Sequence, residues 1–221
     1  MLSNNKFFKD INTIIWDWNG TLLNDTDICL EAINRMLSKR NIPILTHESY
    51  QELFMFPVRE YYQNIGFDFT IEPFENLAIE FIELYNSKLS SSKLTPFASQ
   101  ILDFFASQNK SQIILSAMKQ TALEKSISEL DIYSYFDFIK GIDNDYADGK
   151  IGIGLWLRDY LELKPEKLCL IGDSIHDAEV ANEIGCRCIL VASGHQSFRR
   201  LEQTGSMVFN DLDSLLNFIK S

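Results

Sequence analysis

The chain has 221 residues, of which 46% are hydrophobic and 23% charged, and this composition excludes disordered and collagen-like proteins. Its 31 acidic residues outnumber 20 lysines and arginines, which gives a formal net charge of −11. That negative field disfavours nucleic acid and anionic membranes as partners, and it would repel a small anion unless a cation or local donors reverse the sign at the site.

The first predicted strand covers residues 13–17 and is followed by a long helical stretch. Residues 24 to about 93 contain no convincing strand, and they show helical periodicity over 25–40, over 47–64 with a break at Pro57, and over 73–90. We therefore predict that residues 23–94 form a small all-helical domain. It would be inserted into a core made of residues 1–22 and 95–221.

From residue 95 onward, apolar runs alternate with helix-period segments, which is typical of a parallel sheet with crossover helices. Predicted strands cover 112–116, 136–140, 168–172 and 187–191, with a weaker strand at 207–210, and predicted helices lie near 97–109, 119–130, 152–163, 177–185 and 211–219. The predicted fold class is therefore α/β, with a parallel-sheet core and a helical domain inserted after the first strand.

The residues that follow the predicted strands are the candidate site, because ligands of open α/β sheets bind at the carboxyl ends of the strands. They are Asp17, Asn19, Gly20 and Thr21 after the first strand, Ser116 after the second, Asp148 and Lys150 after the third, and Asp173 and Asp177 after the fourth. Two acidic loops, a hydroxyl and a lysine are thus expected at one end of one sheet.

These residue types suit phosphoryl chemistry. Asp17 and Asp173 can share Mg²⁺, which takes oxygen ligands and is usually held by one or two carboxylates plus substrate phosphate. A carboxylate at a strand end can also attack phosphorus and form an aspartyl-phosphate. Hydroxyls, a lysine charge and backbone N–H groups, here Thr21, Ser116, Lys150 and the turn at Gly20, can neutralise the transferred group.

Four stretches carry a family resemblance, namely IIWDWNGTLL, IILSA, ADGKIGIG and IGDSIHD. In this order they resemble the four motifs of the haloacid dehalogenase superfamily, within its branch of enzymes similar to phosphoglycolate phosphatase. The resemblance spans nearly the whole chain. It implies a Rossmann-like core with a helical C1 cap, and a Mg²⁺-dependent phosphatase that hydrolyses a small phosphorylated metabolite.

The resemblance also implies roles for individual residues. Asp17 would be the nucleophile, and Asp17, Asp173 and the backbone carbonyl of Asn19 would be magnesium ligands, with Asp177 as an outer ligand. Ser116 and Lys150 would hold the phosphoryl group.

One position departs from the family pattern. The family's acid–base Asp, two residues after the nucleophile, is Asn19 here, and an amide cannot exchange a proton near neutral pH. Since such a group is typically worth ~10²–10⁴-fold, ordinary phosphatase chemistry should be slowed on that scale. A slow phosphatase in which His176 or a cap residue replaces the acid is one interpretation, and a substrate whose leaving group needs no acid is another.

Other functions stay open at this stage. The chain could be a phosphate-binding or regulatory protein with an impaired site, a phosphotransferase, or a phosphonate hydrolase that uses a cap lysine as a Schiff base. Lys39, Lys88 and Lys93 are the cap lysines, and none lies in the expected substrate-reading segment 54–59, which weakens the last of these alternatives.

Further expectations concern specificity and location. Arg59 is the best candidate for capturing a carboxylate or second anion of the substrate, because guanidinium binds such groups in a bidentate manner. His195 follows the fifth predicted core strand and could lie near the rim of the site, but an ordinary loop histidine is the favoured interpretation. The four cysteines form no CxxC pair and no secretory signal is evident, so we expect a cytoplasmic protein with reduced thiols, either monomeric or homodimeric.

Overall fold

A computed structural model describes residues 7–143 and 149–221. It contains eight strands: β1 (Thr13–Trp16), β2 (Leu23–Asn24), β3 (Lys93–Leu94), β4 (Ser111–Lys119), β5 (Phe138–Ile142), β6 (Leu168–Gly172), β7 (Arg187–Val191) and β8 (Met207–Phe209). Six of them form a parallel sheet in the order β5-β4-β1-β6-β7-β8. The predicted α/β fold with a parallel sheet is confirmed.

Ten α-helices accompany the strands in the described residues: α1 (Thr26–Lys39), α2 (His47–Leu53), α3 (Val58–Asn64), α4 (Phe74–Leu89), α5 (Ala98–Ser107), α6 (Gln120–Glu129), α7 (Ile151–Tyr160), α8 (Ile175–Ile184), α9 (Phe198–Leu201) and α10 (Leu212–Lys220). Among the residues described, none of these helices has both the length and the apolar character needed to cross a bilayer.

The sheet is covered on both faces. Ile14 and Trp16 of β1 belong to one apolar cluster with α5, α6 and α10, whereas Ile15 belongs to a second cluster with α7 and α8. This separation follows from the alternation of side chains along a strand. Because both faces are buried, the central strands are continuous apolar runs, which is why they were readable in the sequence.

Helices α1–α4 form the helical insert, which we define as residues 25–92, and they pack around an apolar cluster of their own that includes Ile33, Met36, Tyr62 and Leu77. The insert is entered and left through β2 and β3, which pair as an antiparallel ribbon. Neither of these short strands was predicted, because two-residue strands carry no periodicity.

A seam of hydrogen bonds joins the end of α2 to the loop after β7; we define it by residues 51–54 and 194–200. The Gln51 side chain donates to the Gly194 carbonyl at 2.8 Å, and the Gln196 side chain donates to the Phe54 carbonyl at 2.9 Å. Arg200 donates to the carbonyls of both Gln51 and Phe54. The seam therefore fixes the insert above the carboxyl ends of the strands.

Several predicted boundaries were wrong by two or three residues; β4, for example, extends to Lys119 instead of ending at 116. The third core strand begins at Phe138 instead of 136, because residues Tyr133–Tyr135 form a 3-10 turn that precedes it. Helix α8 begins at Ile175 instead of 177, because Ser174 is the N-cap and Asp177 the reciprocal partner of its capping box.

Candidate functional site

Asp17 and Asp173 lie together because β1 and β6 are neighbours in the sheet and both end at the same edge. The Thr21 hydroxyl lies 3.2 Å from Oδ2 of Asp17 and 3.3 Å from Oδ1 of Asp173, so it bridges the two carboxylates. Both carboxylates are buried, at 7% and 2% exposure. Although Asp17 lies at the end of its strand, it is buried, since the insert and the neighbouring loops cover it.

Lys150, the N-cap residue of α7, brings a buried positive charge to this pair. Its ammonium contacts the Asp17 carboxylate, lies 2.6 Å from Oδ1 of Asp177, and donates to the Leu115 carbonyl at 3.1 Å. Burial lowers the pKa of Lys150, but the charges of Asp17 and Asp177 raise it more, so the net pKa is above the ordinary value. The lysine is therefore charged and held in place.

Asp177 organises the turn after β6. Its Oδ2 accepts hydrogen bonds from the backbone N–H groups of Asp173 and Ser174, at 3.1 and 2.9 Å, and from the Ser174 hydroxyl at 2.6 Å. Burial raises the pKa of Asp177, but Lys150 and the Ser174 hydroxyl lower it more, so its net pKa is below the ordinary value and the group is ionised. With both oxygens engaged, Asp177 positions Asp173 and Lys150.

The acidic cluster fits a divalent cation. One oxygen each of Asp17, Asp173 and Asp177 lies within 4.8 Å of the others. Burial is the largest effect on Asp17 and on Asp173, and it raises the pKa of both above the usual range. Buried carboxylates that Lys150 only partly neutralises, presenting oxygen donors alone, are a suitable environment for a hard cation.

Ser116 and Asn19 meet at the same edge. The Ser116 hydroxyl lies 3.4 Å from Oδ1 of Asn19 and accepts a hydrogen bond from the backbone N–H of Met118 at 3.0 Å. The Asn19 side-chain amide donates to Oδ2 of Asp25 at 2.8 Å and to the Tyr85 hydroxyl at 2.9 Å. The amide at position 19 is thus fully used in hydrogen bonding.

Asp25 is the centre of a buried network that the sequence analysis missed. Its carboxylate, fully buried, accepts hydrogen bonds from the Gly20 backbone N–H at 2.8 Å and from the Tyr85 hydroxyl at 2.7 Å. His195 Nε2 lies 3.5 Å from its Oδ1. Burial raises the pKa of Asp25, but His195, Asn19 and Tyr85 lower it more, so the group is ionised.

His195, for which an ordinary loop histidine was the favoured interpretation, is buried beside the carboxylates of Asp25 and Asp173. Its backbone N–H donates to Asp173, and its Nδ1 lies 2.8 Å from the Tyr50 hydroxyl. Burial lowers its pKa, but the hydrogen bond and charge of Asp25 and the charge of Asp173 raise it to about 9. Because His195 follows β7, the strand-end rule that selected the other candidates also points to it, in agreement with the less favoured interpretation that it lies near the site.

Gly20 allows the side chains of Asp173 and His195 to lie close to the turn after β1. Its φ is +75°, and a Cβ at this position would lie 2.3 Å from Oδ2 of Asp173 and 2.6 Å from Cδ2 of His195. No side chain fits in this space, so glycine is required here for both conformation and volume.

Above these residues lies a cavity of about 690 Å³, which Asp17, Asn19, Lys150 and Asp173 line at its base. His176 also lines it; its Nε2 accepts a hydrogen bond of 3.0 Å from the Lys150 backbone N–H. The structure thus brings together most of the residues predicted from the strand ends, while Asp148 lies outside the described residues.

Arg59 is the exception. Its guanidinium lies over the rings of Phe69 and Phe74, at 4.9 and 5.2 Å, and 3.4 Å from Glu75. It is exposed and absent from the residues that line the cavity, because α3 directs it to the outer side of the insert. The structure therefore does not bring Arg59 to the other candidate residues.

A model of the haloacid dehalogenase-like hydrolase family matches residues 14–191. That range includes both carboxylate loops, the buried lysine and the whole helical insert. The chain belongs to the haloacid dehalogenase-like hydrolase family. Comparison with curated proteins gives no match.

Solved structures agree with this hydrolase in fold. A haloacid dehalogenase-like hydrolase from Streptococcus pneumoniae is 19% identical, with a TM-score of 0.80 over 95% of this chain and 99% of the other. A predicted phosphatase from Clostridium acetobutylicum is 19% identical, with a TM-score of 0.77 over 94% and 97%. A predicted phosphoglycolate phosphatase from Haemophilus somnus is 18% identical, with a TM-score of 0.76 over 95% and 98%.

Proposed function

We propose that this hydrolase is a Mg²⁺-dependent phosphatase that cleaves small phosphate monoesters through an aspartyl-phosphate on Asp17. The observation that carries the proposal is the placement of the buried Asp17 carboxylate beside the Lys150 ammonium and Asp173 at the base of the cavity. A nucleophile, a fixed positive charge and a second carboxylate at one strand edge are what in-line phosphoryl transfer needs.

In the first half-reaction an Asp17 oxygen attacks phosphorus, and the bond between phosphorus and the ester oxygen breaks. The leaving oxygen takes a proton and departs as the alcohol. Lys150, Ser116 and the Gly20 turn orient the phosphoryl oxygens and neutralise their charge. In the second half-reaction a water oxygen attacks phosphorus, the bond to Asp17 breaks, and inorganic phosphate and the free carboxylate result.

Asp17 and Asp173, with the Asn19 backbone carbonyl, would hold Mg²⁺, which supplies charge neutralisation for the transferred phosphoryl group when bound. Asp177 would act indirectly, because its two oxygens are already occupied by Lys150 and by the turn after β6. The helical insert would serve as the cap that covers the site.

Proton transfer cannot use residue 19. The amide of Asn19 is committed to Asp25 and Tyr85, and the candidate proton donors for the leaving oxygen are water, the two cavity histidines, His176 and His195, and a cap residue. Imidazole is the side chain best suited to proton exchange near neutral pH. A slower second half-reaction is expected from the lack of a carboxylate base at position 19.

The phosphonate-hydrolase alternative is weakened further by the positions of the lysines in the insert. Lys39 pairs with Glu80 and Lys88 with Glu31, both in exposed ion pairs. The insert is described throughout, and it contributes no lysine to the cavity.

The test is turnover of p-nitrophenyl phosphate with magnesium and with EDTA, in the native protein and in Asp17→Asn. We expect metal-dependent turnover in the native protein and none in the variant, whose fold is checked by circular dichroism. Acid-quenched reactions with ³²P-labelled ester should leave label on the native protein and none on Asp17→Asn. Turnover of the variant above about one hundredth of the native rate would refute covalent catalysis by Asp17.

A further inference from the structure

Most of the residues that the helical insert contributes to the cavity lining are apolar or aromatic, and they form an apolar wall. It is formed mainly by Phe54, Phe56, Tyr61, Ile79 and Ile82, together with Met118 from the end of β4. A leaving group attached to a phosphoryl at Asp17 would extend toward these side chains.

The aromatic side chains begin next to the catalytic groups. The Phe54 ring lies 5.1 Å from the ring of His195, and the Phe56 ring lies 4.8 Å from the ring of His176. Both histidines line the same cavity as Asp17 and Lys150. The first atoms of a leaving group beyond the ester oxygen would therefore meet ring faces.

The insert offers this wall no positive charge. Its arginines and lysines with described partners lie elsewhere: Arg40 pairs with Glu72 and Glu80, Arg59 with Glu75, and Lys88 with Glu31. The core contributes two exposed lysines to the cavity lining, Lys119 and Lys125, and the insert contributes the exposed carboxylate of Glu83. A carboxylate on the leaving group would thus be buried without a partner from the insert, which is costly.

One polar atom in the wall lacks a partner. Tyr61 is 2% exposed, and its hydroxyl makes no hydrogen bond within the described residues. Its neighbour Tyr50 uses its hydroxyl on His195, and Tyr85 uses its own on Asp25. A buried hydroxyl without a partner is destabilising, so a polar ligand atom that reaches the Tyr61 hydroxyl would be stabilised by it.

We infer that this hydrolase acts on phosphate monoesters of uncharged alcohols that carry an aromatic or extended apolar group with one neutral polar substituent within reach of Tyr61. The inference rests on the proposed function, since it concerns the leaving group of the same reaction. It excludes esters whose alcohol is short and anionic, such as phosphoglycolate, as preferred substrates.

The test compares kcat/KM for esters of primary alcohols with magnesium and the full-length protein. The esters are benzyl phosphate, its meta- and para-carboxamides, its para-carboxylate, glycerol phosphate and phosphoglycolate. We expect benzyl phosphate to exceed glycerol phosphate and phosphoglycolate by roughly 10- to 100-fold, because its ring is buried against the apolar wall. The para-carboxamide should exceed the isosteric carboxylate by at least about tenfold.

Two variants and one control test where the leaving group binds. Ile79→Lys, at a half-exposed position of the wall, should raise kcat/KM for the para-carboxylate relative to benzyl phosphate, whereas Ile71→Lys, 83% exposed and outside the cavity, should leave that ratio unchanged. Tyr61→Phe should lower the ratio of one carboxamide to benzyl phosphate by roughly 2- to 10-fold.

The outcomes separate the inference from the function on which it rests. Equal or faster turnover of phosphoglycolate or glycerol phosphate would overturn the inference and leave the phosphatase proposal standing. Unchanged ratios in Ile79→Lys and Tyr61→Phe would also overturn it. No turnover of any ester would refute the proposed function, and the inference with it.

Discussion

The side-chain amide of Asn19 donates a hydrogen bond of 2.8 Å to the carboxylate of Asp25, six residues later in the chain. The negative charge that the family pattern places at position 19 is therefore present in this chain, but it lies one hydrogen bond away from that position. The Asp25 carboxylate also accepts a hydrogen bond from the Gly20 N–H, so it is joined to the turn that follows Asp17.

The hydrogen bond between Asn19 and Asp25 reverses the expected effect of Asn19→Asp on turnover. From the sequence alone, a carboxylate at position 19 should speed turnover; in the structure it would replace the donor that faces Asp25 with a second negative charge. We expect turnover to fall at least about tenfold and the free energy of unfolding to fall by about 1–3 kcal/mol. Adding Asp25→Asn should restore most of both, because the donor and acceptor are then exchanged. Steady-state kinetics and urea unfolding of both singles and the double variant measure this. An Asn19→Asp protein faster than the native one would contradict the prediction.

Asp173 and Asp177 should respond differently to loss of charge. Asp173→Asn should raise the magnesium concentration needed for half-maximal rate, with partial recovery at high magnesium, because one proposed ligand is weakened. Asp177→Asn should instead lower the free energy of unfolding by about 3–5 kcal/mol, because it breaks a buried pair with Lys150. Magnesium titrations of activity and denaturant unfolding on both proteins distinguish the roles. If only Asp177→Asn shifted the magnesium requirement, Asp177 and not Asp173 would be the metal ligand, and the prediction would be wrong.

Gly20 and Gly205 form a matched pair, since their φ angles are +75° and +74°. Gly205→Ala places its Cβ in open space, so it should cost about 1 kcal/mol of stability through backbone strain and leave turnover unchanged. Gly20→Ala carries the same strain and also displaces Asp173 and His195, so kcat should fall by at least about tenfold. Thermal unfolding and kcat measured on both variants test this. Equal losses of kcat in the two would show that strain, and not contact with Asp173, is responsible.

Arg40 ties α1 to the start and the middle of α4. It donates to Glu72 at 2.8 Å and to Glu80 at 2.5 Å. Burial raises the pKa of Glu80, but the hydrogen bonds from Arg40 and Lys39 lower it more, so its net pKa lies below the ordinary 4.5. A lowered pKa in the folded state contributes stability that is present above about pH 4.5 and is lost as the pH falls through the folded-state value.

Glu80→Gln should therefore lower the free energy of unfolding by about 1–2 kcal/mol at pH 7 and by less at pH 3. Glu75→Gln is the control, because Glu75 pairs with Arg59 at 3.4 Å with both side chains half exposed, and its effect should stay within about 0.5 kcal/mol. Urea unfolding at pH 7, 5 and 3 provides the measurement. A loss in Glu80→Gln that does not shrink at low pH would rule out the ion pair as its cause.

The core and the strand-end residues were predictable because they depend on short-range pattern. The buried strands are continuous apolar runs, and Asp17 and Asp173 follow two of them directly, whereas Ser116 lies within β4, near its carboxyl end. Asp25 was not predictable in this way: it precedes α1 and resembles a helix cap, although its side chain caps nothing and turns to Asn19. The orientation of the Arg59 side chain could not be predicted from the sequence either, because the side of α3 that faces the cavity depends on how the insert packs.

The β2–β3 ribbon makes the insert a unit that could be exchanged. Both of its ends leave the core side by side, so a different segment needs only two neighbouring ends, about 5 Å apart, to be grafted onto the same sheet. In this chain, however, Asp25 and Tyr85 lie on the insert side of the ribbon and hold Asn19 on the core side. A transplanted insert would have to carry its own carboxylate and tyrosine to hold Asn19. A change of insert that alters substrate selectivity would therefore also affect the residues around Asp17.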